Sequence, residues 1–274
     1  MSKAVQNPPI KVETKSRSCS AILKSPYGMP YEFTATDAPQ PSRDEALVRL
    51  DFTGVCHGDV YSRDGGGPAP QTPLRPLVGG HEGVGRIMAL GGDKKASMGF
   101  QVGDMVGIAW RGATCGECEA CKLGCENYCP HQQVNGMHRN GTFQQIIAFP
   151  LKELVHLPDG IDLPSACPTL CAGVTAYVSL RKMNPQRGRW CVISGGAGGV
   201  GHMAIQYAKK VFGLKVLVID GGAGDKERFC KRKGCDEYVD FHLAGSRLSN
   251  EMQRRMGGGA DYVLILSPHQ AAYE

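Results

Sequence analysis

No apolar run in this chain of 274 residues approaches the roughly 18 residues a membrane-crossing helix needs. The first twenty residues are polar and lack the apolar stretch of a secretion signal. A dense basic stripe with aromatics between its charges is also missing. The 31 basic and 26 acidic residues are spread along the chain and leave a net charge of only +5, so nucleic acid is not an expected partner. No internal repeat is visible. The twelve cysteines are numerous, but their spacing is not that of a small secreted disulfide framework. These absences predict a cytoplasmic chain whose thiols stay reduced for metal binding. Its length allows one large domain or two ordinary ones, with a real core.

What is present begins with two short motifs. Cys56-His57-Gly58-Asp59 and Gly79-Gly80-His81-Glu82-Gly83 lie too far apart to meet along the backbone but can meet in a fold. Sulfur and imidazole together suit a borderline-soft ion such as zinc. Cys171, in Pro168-Thr169-Leu170-Cys171-Ala172-Gly173, is the candidate third ligand. Three protein ligands leave a position open, which marks a catalytic zinc. A separate stretch, Cys115, Cys118, Cys121 and Cys129, has the spacing C-x2-C-x2-C-x7-C. Four thiolates close a tetrahedron with no open position, which is the structural type of zinc site. Cys125 lies inside that loop and fits the register poorly. His131 and His138 are ordinary surface or hydrogen-bonded histidines in this reading.

Residues 1–17 carry Pro8-Pro9 and several lysines and read as a mobile arm. Strands are predicted at 20–24, 31–36, 45–53, 84–90, 105–109 and 142–149, with the glycine- and proline-rich 65–76 as loop. Residues 45–53 alternate apolar and polar as a half-buried strand does. Short strands between turns predict an irregular β-rich first domain, 18–163. Near Leu163 the pattern lengthens, and 164–274 reads as a second domain. Residues 166–180 are small and apolar enough for a helix carrying Cys167 and Cys171 on one face.

The strand predicted at 190–194 runs into Gly195-Gly196-Ala197-Gly198-Gly199-Val200-Gly201, then into a helix at 202–212 and a second strand at 215–220 that ends on Asp220. Strand, glycines, helix and acid in this order are the context a dinucleotide site requires. Gly196, Gly198 and Gly201 supply a tight turn, close approach of a pyrophosphate, and helix-to-sheet packing. The helix N-terminus, with Gly199 and Val200, offers amide donors to phosphate. Asp220, 19 residues beyond Gly201, can accept from ribose hydroxyls and would repel a 2′-phosphate. Gly221-Gly222 offer no arginine there, so NAD is favoured over NADP. A third helix at 226–233 and strands at 237–241 and 262–266 complete the pattern.

With these motifs read, the chain resembles the zinc-dependent alcohol dehydrogenases of the medium-chain dehydrogenase/reductase superfamily, the fungal type above all. Gly54-Val55-Cys56-His57, Gly79-Gly80-His81-Glu82-Gly83, the four-cysteine loop, Leu170-Cys171-Ala172-Gly173 and the glycine run after Ile193-Ser194 carry the likeness, which extends from about Ser20 to the end. It implies an α/β chain with a GroES-like catalytic domain followed by an incomplete Rossmann domain, a doubly wound parallel sheet truncated after about four strands. It also implies two zinc ions per chain, NAD as cofactor, a small alcohol or aldehyde as substrate, and a homo-oligomer. Cys56, His81 and Cys171 match the catalytic-zinc ligands, and Glu82 matches a carboxylate that approaches the metal when its water exchanges. Cys115, Cys118, Cys121 and Cys129 match the structural-zinc ligands. His57 matches a basic residue over the cofactor pyrophosphate. Asp59 matches the carboxylate that orients the zinc-bound histidine.

The chain departs from that pattern in places. Gly58 stands where the family has a hydroxyl that passes the alcohol proton outward, and Tyr61 stands where the fungal relay has histidine. A tyrosine ordinarily titrates around 10, which makes it the slower shuttle at neutral pH. Asp225 replaces a lysine near the adenosine ribose, and Lys226 is its neighbour-substitute. The aromatics that narrow the alcohol pocket are missing from residues 63–67, which predicts a wider or more polar pocket. The family's chains also run on beyond the fourth Rossmann strand. The alternative to a working dehydrogenase is therefore a shortened relative that binds zinc and nucleotide but turns over weakly or not at all.

Overall fold

The computed structural model describes residues 17–66, 74–93, 96–222, 224–267 and 270–273. The chain divides into two compact units, Met1–Cys171 and Ala172–Glu274. All but one residue of the predicted N-terminal arm lies outside the described residues. Arg17 instead opens a strand and pairs with Asp37.

Among the described residues the first unit carries ten strands: β1 Arg17–Leu23, β2 Glu32–Asp37, β3 Glu45–Thr53, β4 Leu77–Val78, β5 Gly83–Leu90, β6 Met105–Ile108, β7 Arg111–Ala113, β8 Gln133–Val134, β9 Ile146–Pro150 and β10 Leu154–His156. They form an antiparallel sheet of order β10-β6-β5-β3-β9, a smaller one of order β2-β1-β4, and the ribbon β7-β8. Ala46, Val48, Ile87, Val106, Ile108, Ile147 and Phe149 close a core over the five-stranded sheet. Between Leu50 and Phe52 the β3–β5 register shifts, so the ladder bends just before the Gly54–Cys56 segment.

Three short helices punctuate this unit: α1 His57–Asp64, α2 Glu119–Lys122 and α3 Leu163–Ala166. Sequence periodicity did not mark α1, because only eight residues form it and its apolar content is low. Its ends explain it. Cys56 and Asp59 cap the start reciprocally, and Gly65 closes the end in the left-handed region at φ 75°. Two other expectations change. Residues 142–145 precede β9 rather than belong to it. The continuous helix predicted for 166–180 is broken: a 3-10 turn, Cys167–Leu170, leads to Cys171 at φ −126°, ψ −78°, and a new helix starts at Ala172. Cys167 and Cys171 therefore do not share a helix face. Cys167 packs with Ala166, Leu170 and Val84, which ties this segment to the first unit.

The second unit alternates helix and strand: α4 Ala172–Lys182, β11 Trp190–Ser194, α5 Gly199–Lys210, β12 Lys215–Asp220, α6 Asp225–Lys233, β13 Glu237–Asp240, α7 Phe241–Ala244, α8 Leu248–Met256 and β14 Tyr262–Ile265. The four strands are parallel, in the order β13-β12-β11-β14. Cys191, Ile193, Val216 and Val218 point to one face under Ala204, Ile205 and Ala208 of α5. Val192, Leu217 and Val239 point to the other, under Leu248 and Met252 of α8. Apolar runs buried on both faces are the mark of a covered parallel sheet. Charge sets α6: Asp225 and Glu227 sit in its first turn, Lys231, Arg232 and Lys233 in its last, and Gly234 ends it at φ 109°. Helix α8 carries only three apolar residues in nine, Leu248, Met252 and Met256, and was not foreseen. No single helix among the described residues is long and apolar enough to cross a membrane.

Candidate metal centres and nucleotide site

Cys56, His81 and Cys171 come together in the first unit, with their donor atoms within 4.8 Å of one another. His81 Nε2 lies 3.2 Å from Cys56 Sγ and 3.3 Å from Cys171 Sγ. The helix cap builds this centre. Asp59 Oδ2 accepts from the Cys56 backbone N–H at 2.9 Å, while Oδ1 lies 3.0 Å from His81 Nδ1. A carboxylate only accepts, so Nδ1 carries the proton and Nε2 faces the two sulfurs. Both His81 and Asp59 are buried. The break in the chain at Cys171 is what detaches that thiol from helix geometry.

The three donors share their protons. A hydrogen bond from Cys171, opposed by burial and aided by His81, pulls the Cys56 thiol down to about 4. The same bond, with burial, pushes the Cys171 thiol far up. Burial opposes a charge on His81, but hydrogen bonds to Asp59 and Cys56 outweigh it and raise the imidazole to about 10. A dication would replace the Cys171 and Nε2 protons, as metal binding does at such donors. The neighbouring Glu82 shows that the centre is short of positive charge. It is 3 % exposed, burial raises it to about 7, and its Oε2 has no hydrogen-bond partner among the described residues. Two sulfurs, one imidazole and a buried, under-satisfied carboxylate fit zinc.

Gly58 faces the same centre. A Cβ there would stand 3.2 Å from Cys56 Sγ, 3.4 Å from His81 Cε1 and 3.7 Å from Trp110 Cζ3. Trp110 was not foreseen. Its ring lies edge-on to His81 with centroids 5.0 Å apart, so an aromatic side chain from just beyond β6 stands beside this centre. The signal was faint: one of only two tryptophans, five residues before the first thiol of the four-cysteine loop. His57 and Tyr61 meet edge-on at 4.7 Å on successive turns of α1.

Cys115, Cys118, Cys121 and Cys129 form a second cluster within 4.8 Å. Cys115 Sγ lies 3.6 Å from Cys129 Sγ and 4.0 Å from Cys121 Sγ. Thiolates at the corners of a zinc tetrahedron with about 2.3 Å bonds stand about 3.8 Å apart. Backbone N–H groups of Glu117 and Cys118 lower the Cys115 thiol to about 6. Cys125 is exposed, bonds the Leu123 carbonyl and stays outside the cluster.

In the second unit, β11 ends at Ser194 and α5 begins at Gly199, with Gly198 at its N-cap. A Cβ on Gly201 would stand 2.2 Å from the Gly195 carbonyl oxygen, and one on Gly196 would stand 2.5 Å from Val218. Those two glycines serve packing. Gly199 meets nothing within 4 Å and leaves the loop's outer side open. Val200 packs against the core beneath α5. Asp220 ends β12. Its Oδ2 accepts from the Ala197 N–H at 2.9 Å, and its Oδ1 from the Gly221 N–H at 2.8 Å and Lys226 Nζ at 3.0 Å. Lys226 is thus an ion-pair partner of Asp220, while Asp225 is exposed and pairs with Arg228. Asp220, Gly221, Lys226 and Gly195 line a cavity of about 1030 Å³.

Comparison with known proteins gives the same assignment to both units. The alcohol dehydrogenase GroES-like domain family matches residues 42–159, and the zinc-binding dehydrogenase family matches residues 199–274. Alcohol dehydrogenase 2 of Emericella nidulans is 39 % identical over 271 residues, 95 % of this chain and 72 % of that protein. The alcohol dehydrogenase of Schizosaccharomyces pombe is 35 % identical over 243 residues, 89 % of this chain and 67 % of that protein. The crystal structure of an NAD-dependent alcohol dehydrogenase superposes with a TM-score of 0.79 at 32 % identity, covering 89 % of this chain and 69 % of that one.

Proposed function

The chain belongs to the zinc-binding alcohol dehydrogenases of the medium-chain superfamily, and from that premise we propose that it interconverts an alcohol and its aldehyde or ketone by hydride transfer with NAD. One observation carries the reading: Cys56, His81 and Cys171 converge, and Asp59 fixes which nitrogen of His81 faces the two sulfurs.

Cys56, His81 and Cys171 would hold the catalytic zinc, and Cys115, Cys118, Cys121 and Cys129 a structural one, giving two ions per chain. When bound, the catalytic zinc supplies Lewis acidity to the alcohol oxygen, and NAD supplies the hydride acceptor. The chain's own residues do the positioning. Asp59 keeps the proton on His81 Nδ1. Trp110 presents its edge beside that imidazole, limits the width of the pocket and shields it from water. Gly58 has no hydroxyl to take the alcohol proton, so Tyr61 and His57, in edge-on contact on α1, carry that duty through water. Gly196, Gly198, Gly199, Val200 and Gly201 form the pyrophosphate turn. Asp220 accepts from the ribose and disfavours a 2′-phosphate, with Lys226 holding it in place. All twelve cysteines are free thiols, which supports a reducing, cytoplasmic setting.

Elemental analysis, together with NAD reduction by ethanol and longer primary alcohols, tests the proposal. Two zinc ions per chain are expected, one of them lost in Cys171→Ala, with NADH formed by the unsubstituted protein. Two ions without NADH would favour the weakly active alternative. A single ion that survives Cys171→Ala would overturn the catalytic-zinc assignment.

A further inference from the structure

Gly54 and Glu82 face each other just beyond the end of the β3–β5 ladder, where Thr53 pairs with Gly83. Their backbones are locked together. The Gly54 N–H and the Thr53 hydroxyl both donate to the Glu82 carbonyl oxygen at 2.9 Å. The Glu82 side chain packs into the space a side chain on Gly54 would fill. A Cβ at Gly54 would stand 2.5 Å from Glu82 Oε1, 2.7 Å from Cδ and 2.9 Å from Cγ. Gly54 is not among the glycines in the left-handed region, so glycine is required here for room and not for its backbone freedom.

The carboxylate resting there is buried, and its Oε2 has no hydrogen-bond partner among the described residues. A buried acceptor in that condition is costly, and a cation is the partner that relieves it. Gly54 stands two residues before Cys56, and Glu82 one residue after His81. Any shift of the carboxylate off Gly54 is therefore a shift relative to two of the three metal donors.

We propose that Gly54 is a positioning residue for Glu82. Its missing side chain makes the berth in which the carboxylate rests, and so would set how readily that carboxylate joins Cys56, His81 and Cys171 around a bound metal. The inference rests on the reading of Cys56, His81 and Cys171 as zinc ligands. It concerns metal exchange, which can be read without turnover.

The test uses the zinc-loaded full chain and its Gly54→Ala, Glu82→Ala and doubly substituted forms. Zinc release to a chromophoric chelator is followed, and the kinetic phase belonging to the three-ligand centre is the one absent in Cys171→Ala. Visible spectra of the cobalt-substituted proteins give a second readout. Gly54→Ala is expected to change that release rate by about fivefold or more, in either direction, and to shift the cobalt bands. In the Glu82→Ala background, where the clashing atoms are gone, the same substitution should have no effect. An unchanged rate in Gly54→Ala, or an equal change in both backgrounds, would overturn the proposal. If Gly54→Ala fails to fold, recovery of folding in the double variant supports it, and failure of both overturns it. Absence of any phase that Cys171→Ala removes would instead defeat the zinc reading itself.

Discussion

Asp59 does two jobs with two oxygens, and the substitutions Asp59→Asn and Asp59→Ala separate them. One oxygen caps α1 by accepting from the Cys56 N–H at 2.9 Å, and the other holds His81 Nδ1 at 3.0 Å. In Asp59→Asn the backbone N–H cannot change its role, so the amide oxygen stays on the cap and the amide NH2 turns to His81. That NH2 can only donate. Nδ1 must then accept, and the imidazole proton moves to Nε2, which faces Cys56 and Cys171. The lone pair a metal needs is lost from that face. Loss of such an orienting partner weakens metal binding by about 10- to 100-fold, or about 1.4–2.7 kcal/mol. Asp59→Ala removes the cap as well, worth about 1 kcal/mol, and should lower the melting temperature by about 2–4 °C. It does not impose the wrong tautomer. The expected signature is therefore crossed: Asn binds zinc more weakly than Ala does, yet melts higher. Chelator competition at the phase lost in Cys171→Ala, together with thermal unfolding of the metal-stripped proteins, reads both quantities. Zinc affinity in Asp59→Asn equal to that of the unsubstituted chain would refute the tautomer argument.

Gly58→Ser should restore a proton acceptor beside the metal donors and raise the rate of alcohol oxidation at neutral pH by about tenfold, within the range of acid–base catalysis. Serine is chosen over threonine because a Cβ already approaches Cys56 Sγ to 3.2 Å, and a flat steady-state rate across pH 6–8 would count against the relay. Gly201→Ala drives a methyl to 2.2 Å from the Gly195 carbonyl, so calorimetry should show a loss of about 1–3 kcal/mol of stability and weakened NAD binding. Asp220→Gly should raise the KM for NAD and lower that for NADP, and unchanged discrimination would place the specificity elsewhere. The same change frees the Ala197 N–H and Lys226, so some loosening of the glycine turn is expected in hydrogen exchange. Hydrogen bonds from Arg254 and Arg255 lower the Glu251 carboxyl to about 2. A carboxyl lowered on folding contributes stability above its unfolded value near 4.5, and that contribution disappears as pH falls toward 2. Glu251→Gln should therefore flatten the acid limb of the unfolding curve between those values while leaving the zinc content unchanged.

Much of the chemistry could be read in one dimension. Two-residue gaps between cysteines, or glycines between a buried apolar strand and a helix ending near an acid, are local patterns. Their physical demands, a tetrahedron of sulfurs and a close approach of phosphate to backbone, are met by residues a few places apart. The β-rich first unit and the parallel second one followed from the same short-range periodicities. Other features were not announced by periodicity. Helix α1 has too little apolar content to announce itself and exists because Cys56 and Asp59 cap it. The meeting of Cys171 with His81, the indole of Trp110 beside His81 and the contact of Glu82 with Gly54 each join positions more than 25 residues apart. Residue type and spacing thus determined which atoms were able to bind metal and nucleotide. Packing alone decided which of them meet, because distances across a fold are set by how sheets and turns bury their surfaces and not by separation along the backbone.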